Sequence, residues 1–268
     1  MSFLTIPYPV IDPILLEVGP LAIRWYSLAY IGGLMFAWYY MVKLASRDPN
    51  GATREDIDDF IVWATVGVII GGRLGYVLFY NPDYYMENPL AALRLWDGGM
   101  SFHGGVVGVA AAGAIFTKRR SIPIGRFADI IACSAPIGLL LGRLANFING
   151  ELYGRVTDVQ WAMVFPRGGP AARHPSQLYE AALEGLLLFV VLYALSQKET
   201  IRNRPGFLTG VFLLGYSAAR AFVELFRQPD AHLGVLAAGL TMGQWLSLPM
   251  LLGGLYLIWR ARTSPARE

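Results

Sequence analysis

Seven apolar blocks, each close to the ~20 residues that cross a hydrocarbon core of about 30 Å, dominate this 268-residue chain and restrict what it can fold into. They run from 26 to 44, 59 to 80, 99 to 117, 127 to 148, 177 to 196, 206 to 225 and 243 to 261. In hydrocarbon, backbone N–H and C=O groups must be paired within the segment, so such blocks predict helices. The expected fold is all-α: a polytopic membrane protein with seven transmembrane helices and a single integral-membrane domain over 1–268. Composition agrees, with 55% apolar and 15% charged residues, where soluble domains carry about 25% charge. A net charge of +3 argues against a dedicated nucleic-acid binder. The one cysteine, Cys133, excludes an intrachain disulfide, a zinc knuckle and a Cys-x-x-Cys redox pair.

Basic residues set the expected orientation. Lys43, Arg47 and Arg54 follow block one; Lys118, Arg119, Arg120 and Arg126 follow block three; Lys198, Arg202 and Arg204 follow block five; Arg260, Arg262 and Arg267 follow block seven. The opposite side holds Arg94, Arg155, Arg167, Arg173 and Arg227. The positive-inside rule then places the C-terminus in the cytoplasm and, with an odd number of spans, the N-terminus outside. Residues 1–20 carry no Lys or Arg and no cleavage site, so they do not read as a secretory signal peptide. The longest connections, 81–98, 149–176 and 226–242, fall on the outer side, where work on exported material belongs. The short basic inner connections read as topology signals and contacts to anionic membrane lipids.

Gly67, Gly71 and Gly75 recur at four-residue spacing, as do Gly104 with Gly108 and Gly138 with Gly142. Small faces of this kind let helices approach closely. Ionisable residues within the blocks need a different explanation, because an unpaired charge at mid-membrane is expensive.

Three constellations supply candidates. In the run 142–155, Arg143 and Asn146 share a helical face, and Asn149-Gly150 breaks the helix. A guanidinium fork suits a phosphodiester; Asn146 adds a neutral donor, and Gly154 lets backbone approach a ligand. The competing reading is an interfacial arginine snorkelling to headgroups, with Glu151 pairing Arg155. In block six, Tyr216, Arg220 and Glu224 form one stripe. Glu224 either holds Arg220 toward an anionic ligand, with Tyr216 beside it, or forms a purely structural pair. At 101–105, His103 is a candidate base or a polar cap, with Gly104 next to it. His174 opens block five and is equally ambiguous alone, while His232 reads as a loop residue.

The three histidines are scattered, without the His-Glu-x-x-His pattern, so no metal site is expected. No Walker loop, dinucleotide fingerprint or Gly-x-Ser-x-Gly elbow occurs, and no cofactor is expected. The residues suit an anionic lipid and a nucleophile brought by the substrate. A transporter or lipid flippase is the competing class, but it requires charges reaching both membrane faces.

The run 142–155, with Trp96-Asp97-Gly98-Gly99-Met100-Ser101-Phe102-His103-Gly104-Gly105, His174-Pro175-Ser176-Gln177-Leu178-Tyr179-Glu180 and Phe226-Arg227-Gln228-Pro229-Asp230, closely resembles the prolipoprotein diacylglyceryl transferase family. The likeness runs from Trp25-Tyr26 to Met242-Gly243-Gln244; it departs at Ala145, where the family usually has Gly, and in a short 156–173 stretch. The resemblance implies a bacterial inner-membrane enzyme with its site toward the periplasm. Such an enzyme moves diacylglyceryl from phosphatidylglycerol to the lipobox cysteine of a preprolipoprotein signal peptide, forming a thioether and releasing glycerol phosphate. On this reading Arg143 holds the phosphate, and Asn146 and Gly154 shape the headgroup site. Arg220, steered by Glu224 and flanked by Tyr216, stabilises the leaving phosphate or the incoming thiolate. His103 is the base, Tyr26 and Glu151 orient groups, and Gly104, His174 and Glu180 contact substrate.

Overall fold

The computed structural model describes residues 6–19, 21–48, 51–228, 239 and 241–263. Pro229, Asp230, His232 and Arg267 lie outside the described residues. Contacts group the chain into two units, one of residues 1–40 with 129–268, the other of 41–128.

Each apolar block is occupied by a helix among the described residues: α1 Trp25–Ala45, α2 Arg54–Phe79, α3 Phe102–Arg119, α4 Ile124–Ile148, α5 Ser176–Ser196, α6 Phe207–Val223 and α7 Met242–Thr263. α1, α2, α4 and α5 are long and apolar enough to cross a membrane, and α6 is apolar but shorter. The remaining two carry a heavier polar load, with His103, Lys118 and Arg119 in α3 and Gln244, Arg260 and Arg262 in α7. Large side chains such as Met35, Ile70, Leu78, Leu252 and Trp259 point outward from these helices. Outward apolar side chains are what a lipid solvent requires. One element departs from the all-α expectation: β1 Ile14–Val18 and β2 Leu21–Arg24 pair antiparallel as a hairpin. Its strands lie ahead of the first block and are too short to show a period-2 signal.

In the smaller unit α2 and α3 run antiparallel, with Gly67 opposite Gly108 and Gly71 opposite Gly104. A Cβ at Gly71 would lie 2.7 Å from Gly108 Cα, so the glycines set the crossing. Thr53 and Asp56 close α2 in a reciprocal capping box, and Ser101 Oγ accepts from Gly104 N (3.2 Å) to start α3. Between them, buried Arg73 donates to the carbonyls of Ala91 (2.7 Å), Ala92 (2.8 Å), Arg94 (2.9 Å), Gly99 (3.1 Å) and Gly98. One guanidinium thus organises the connection that leads into His103.

In the larger unit Asp129 of α4 caps α6, accepting from Gly206 N (2.8 Å), Thr209 N (2.7 Å) and Thr209 Oγ1 (2.7 Å). Close glycine contacts join α6 to α7 at Gly210 and Gly254, α1 to α4 at Gly33 and Gly138, and α5 to α4 at Gly185 and Leu140. Gly142 has no such neighbour, so its part in a small face does not materialise. α5 widens to a π-helix over Ala181–Leu187, a rare form that turns up most often at functional sites.

Candidate active site

Arg143 of α4 and Arg220 of α6 converge on Glu180 of α5. Glu180 Oε2 lies 2.9 Å from Arg143 Nε, and Glu180 Oε1 lies 2.6 Å from Arg220 Nη1. Glu224 pairs with Arg220 one helical turn away, as the i, i+4 spacing predicts, and accepts from Thr241 Oγ1 (2.8 Å). Two residues that sequence reasoning passed over complete the cluster. Glu184 faces Arg143 Nη2 at 3.6 Å and Arg220 Nη1 at 3.8 Å, and Arg227 Nη1 lies 3.4 Å from Glu224. The signal for Glu184 was present: a second acid four residues after Glu180 in an apolar block. Both glutamate side chains are wholly buried, whereas Arg143 keeps 19% and Arg220 12% of the side chain exposed. The arginine side chains are therefore the more accessible part of the cluster. Tyr216, one turn before Arg220, stacks on Phe212 and lies in the field of Glu184, Arg220, Arg143 and Glu180.

Asn146, also on α4, is buried and serves a neighbouring group. Its Nδ2 donates to Glu151 Oε1 (2.9 Å), which also accepts from Asn149 Nδ2 (3.2 Å). Glu151 takes these amides and Arg155 Nε donates to the Arg227 carbonyl (3.0 Å), and the Glu151–Arg155 pair of the competing reading does not form among the described residues. Gly150, at φ +63°, ends α4 where Asn149-Gly150 predicted. Tyr8 OH donates to Phe147 O (2.5 Å) and Ile148 O (2.9 Å), covering carbonyls that the helix end leaves open.

Gly154 needs its hydrogen for a different reason from the one expected. A Cβ there would lie 2.6 Å from both His174 Cβ and the Phe226 carbonyl. Its backbone is held by Gly154 N donating to His174 O (2.8 Å), so the close approach is to protein rather than ligand. Packing against Gly71 likewise accounts for glycine at 104.

His174 is half-buried, with its ring against Phe226 and Tyr179. Trp161 Nε1 donates to Tyr179 OH (2.6 Å), which lies 3.1 Å from His174 Nδ1. An indole N–H only donates, so Tyr179 OH accepts from Trp161 and its own hydrogen is left free for a partner such as His174 Nδ1. Burial holds His174 below the ordinary imidazole range, which favours the neutral ring. Tyr26 is half-buried in the first turn of α1, its ring against Tyr30 (5.1 Å). His103 and Gly104 belong to the smaller unit, where exposed His103 occupies the first turn of α3. Cys133 is wholly buried on α4.

The larger unit therefore offers two partly exposed arginine side chains backed by buried carboxylates, an arrangement able to receive a phosphate and stabilise charge as it develops. Residues 13–260 match the family model described as prolipoprotein diacylglyceryl transferase. The chain is 59% identical over 264 residues to the phosphatidylglycerol–prolipoprotein diacylglyceryl transferase of Paramagnetospirillum magneticum, covering 98% of each chain. It is 55% identical to the enzyme of that name from Rhodospirillum rubrum over 259 residues, 96% of this chain and 94% of the relative. Against that of Allorhizobium ampelinum it is 54% identical over 267 residues, 97% and 93% of the two chains.

Proposed function

The chain belongs to the prolipoprotein diacylglyceryl transferase family, and from that membership we infer that it transfers the diacylglyceryl group of phosphatidylglycerol to the lipobox cysteine of prolipoproteins. The thiol sulfur attacks the glyceryl carbon bonded to the phosphate oxygen. An S–C bond forms, the C–O bond breaks, the thiol proton passes to a base, and glycerol phosphate leaves with the electron pair. The observation that carries this reading is the convergence of Arg143 and Arg220 on shared carboxylates.

Arg143 takes the phosphate of phosphatidylglycerol, in a headgroup site that Asn146 shapes through Glu151 and Gly154 through its close packing on His174 and Phe226. Arg220, aligned by Glu180 and Glu224 and flanked by Tyr216, stabilises the leaving phosphate, whose charge grows as the C–O bond stretches. A thiol of pKa ~8.5 is mostly protonated at neutral pH, so the reaction needs a base, the role we assign to His103. Tyr26 and Glu151 orient groups, Glu151 through Asn146 and Asn149. His174 and Glu180 serve the substrate site, Glu180 by holding Arg143 and Arg220 toward it, while Gly104 acts through the packing of α3 on α2. Residues 1–268 act as one integral-membrane domain of seven spans in the bacterial inner membrane, N-terminus outside and C-terminus cytoplasmic, with the site toward the periplasm. Lipid enters laterally, and the signal peptide arrives from outside.

The test is transfer in vitro from phosphatidylglycerol to a lipobox peptide, comparing the unaltered protein, Arg143→Ala, and a peptide whose Cys is Ser. Thioether and glycerol phosphate are expected from the unaltered pair alone. Absence of product from well-folded protein with any anionic phospholipid would return the transporter reading. Near-normal turnover of His103→Gln from pH 6 to 9 would remove His103 as the base.

A further inference from the structure

With every member ionised, the cluster is neutral: Arg143, Arg220 and Arg227 stand against Glu180, Glu184 and Glu224. The three carboxylates are not equally held. Glu180 lies within 2.9 Å of Arg143 and 2.6 Å of Arg220, and Glu224 has Arg220, Arg227 and the Thr241 hydroxyl. Glu184 is wholly buried, approaches the guanidiniums no nearer than 3.6 Å, and neither of its oxygens accepts a hydrogen bond among the described residues. A buried carboxylate without hydrogen bonds is the member whose ionised form is supported least. The groups facing it are Arg143 from α4, Arg220, Arg227 and Tyr216 on or just after α6, and Glu180 on its own helix.

A phosphodiester arriving at Arg143 and Arg220 adds a negative charge to a site that is already neutral. In a low-dielectric interior that surplus is heavily disfavoured. We infer that Glu184 takes up a proton when the phosphatidylglycerol headgroup enters, so that anionic lipid binding is coupled to protonation and the cluster stays neutral. The inference rests on the phosphate site proposed above. The proton goes to Glu184 because the other two carboxylates would give up short contacts to guanidiniums.

Two consequences are measurable with dioctanoyl phosphatidylglycerol and the full chain in detergent. Calorimetric titration in buffers of different ionisation enthalpy should show proton uptake that rises toward one per lipid as pH is raised, with Kd weakening by up to about tenfold per pH unit over the same range. Glu184→Gln, which mimics the protonated side chain, should bind at least as tightly, with no uptake and a flat pH profile. The phosphodiester itself does not titrate in this range, and His103→Gln should keep the uptake. A pH-independent unaltered protein, persistent uptake in Glu184→Gln, or loss of uptake in His103→Gln would overturn the coupling. The measurement on the unaltered protein decides even if Glu184→Gln does not fold. Undiminished lipid binding by Arg143→Ala and Arg220→Gln would instead overturn the phosphate site.

Discussion

Replacing Glu180 with Gln keeps the shape of the side chain and removes one charge, which isolates its part in holding the two arginines. Glu180 is wholly buried and lies within 3 Å of both Arg143 Nε and Arg220 Nη1. The amide of Gln turns a donor toward one of these donors and leaves the cluster with a surplus positive charge. Removing one partner of a buried pair costs about 3–5 kcal/mol. Arg143 and Arg220 keep 19% and 12% exposure and retain Glu184 and Glu224, so the lower end, about 3 kcal/mol, applies. For a chain of this size each kcal/mol moves Tm by roughly 2–4 °C, so a drop of about 6–12 °C is expected.

The chain supplies its own reporter. Cys133 is the one cysteine, wholly buried on α4, the helix that carries Arg143. Its labelling by a maleimide dye on heating in detergent therefore follows the opening of the larger unit. Glu180→Gln labelling at the temperature of the unaltered protein would refute the idea that Glu180 is a structural partner of both guanidiniums. The double variant Glu180→Gln with Arg220→Gln returns the cluster to neutrality. It should regain part of the lost stability while diacylglyceryl transfer stays abolished, separating the charge argument from the catalytic one.

Gly71→Leu drives a side chain into the Gly108 backbone, where a Cβ alone would sit 2.7 Å from Cα; a loss of at least about 1–3 kcal/mol should lower the far-UV circular dichroism melting temperature. Arg73→Lys keeps the charge but not the planar fork that reaches the Ala91, Ala92, Arg94 and Gly99 carbonyls. Amide hydrogen exchange in 88–101 should accelerate selectively, and an unchanged pattern would show that these bonds are dispensable. His174 is held below its unfolded value of about 6.5 by burial, so as pH falls the unfolded chain binds the proton first. Its contribution to stability is present above pH ~6.5 and is lost below it. His174→Gln should shrink the fall in Cys133 labelling temperature between pH 7.5 and 5.5, and an equal fall in both proteins would refute the assignment.

The seven apolar blocks located the long helices because membrane length and a continuous apolar pattern are local properties. Helix ends were legible where their chemistry is local too, as at Asn149-Gly150, whereas the Ser101 cap of α3 went unread beside His103. Glycine roles were only half legible. Spacing identified Gly67, Gly71 and Gly104 as a packing face, but the partner of Gly154 is set by a β-like pairing of residues 154 and 227, far apart in the chain. The hairpin ahead of α1 went unread because four or five residues carry too little periodicity.

The arginines stood out in sequence because each violates an apolar pattern, while the glutamates that answer them gave no sign of which arginine they meet. That pairing still follows from the cost of burial. α4 brings Arg143 to this site, α5 brings two acids, α6 brings Arg220 with Glu224, and Arg227 follows directly. Taken alone, α5 would place two uncompensated carboxylates among apolar side chains, which the membrane does not tolerate. Only packing against both α4 and α6 neutralises them. The charges thus specify which helices must be neighbours, a tertiary constraint that helix-by-helix hydropathy does not contain. The same constraint divides the two acids of α5: Glu180 secures the packing through both guanidiniums, and Glu184 is buried with the weakest contacts, which is why the proton uptake inferred above is assigned to it.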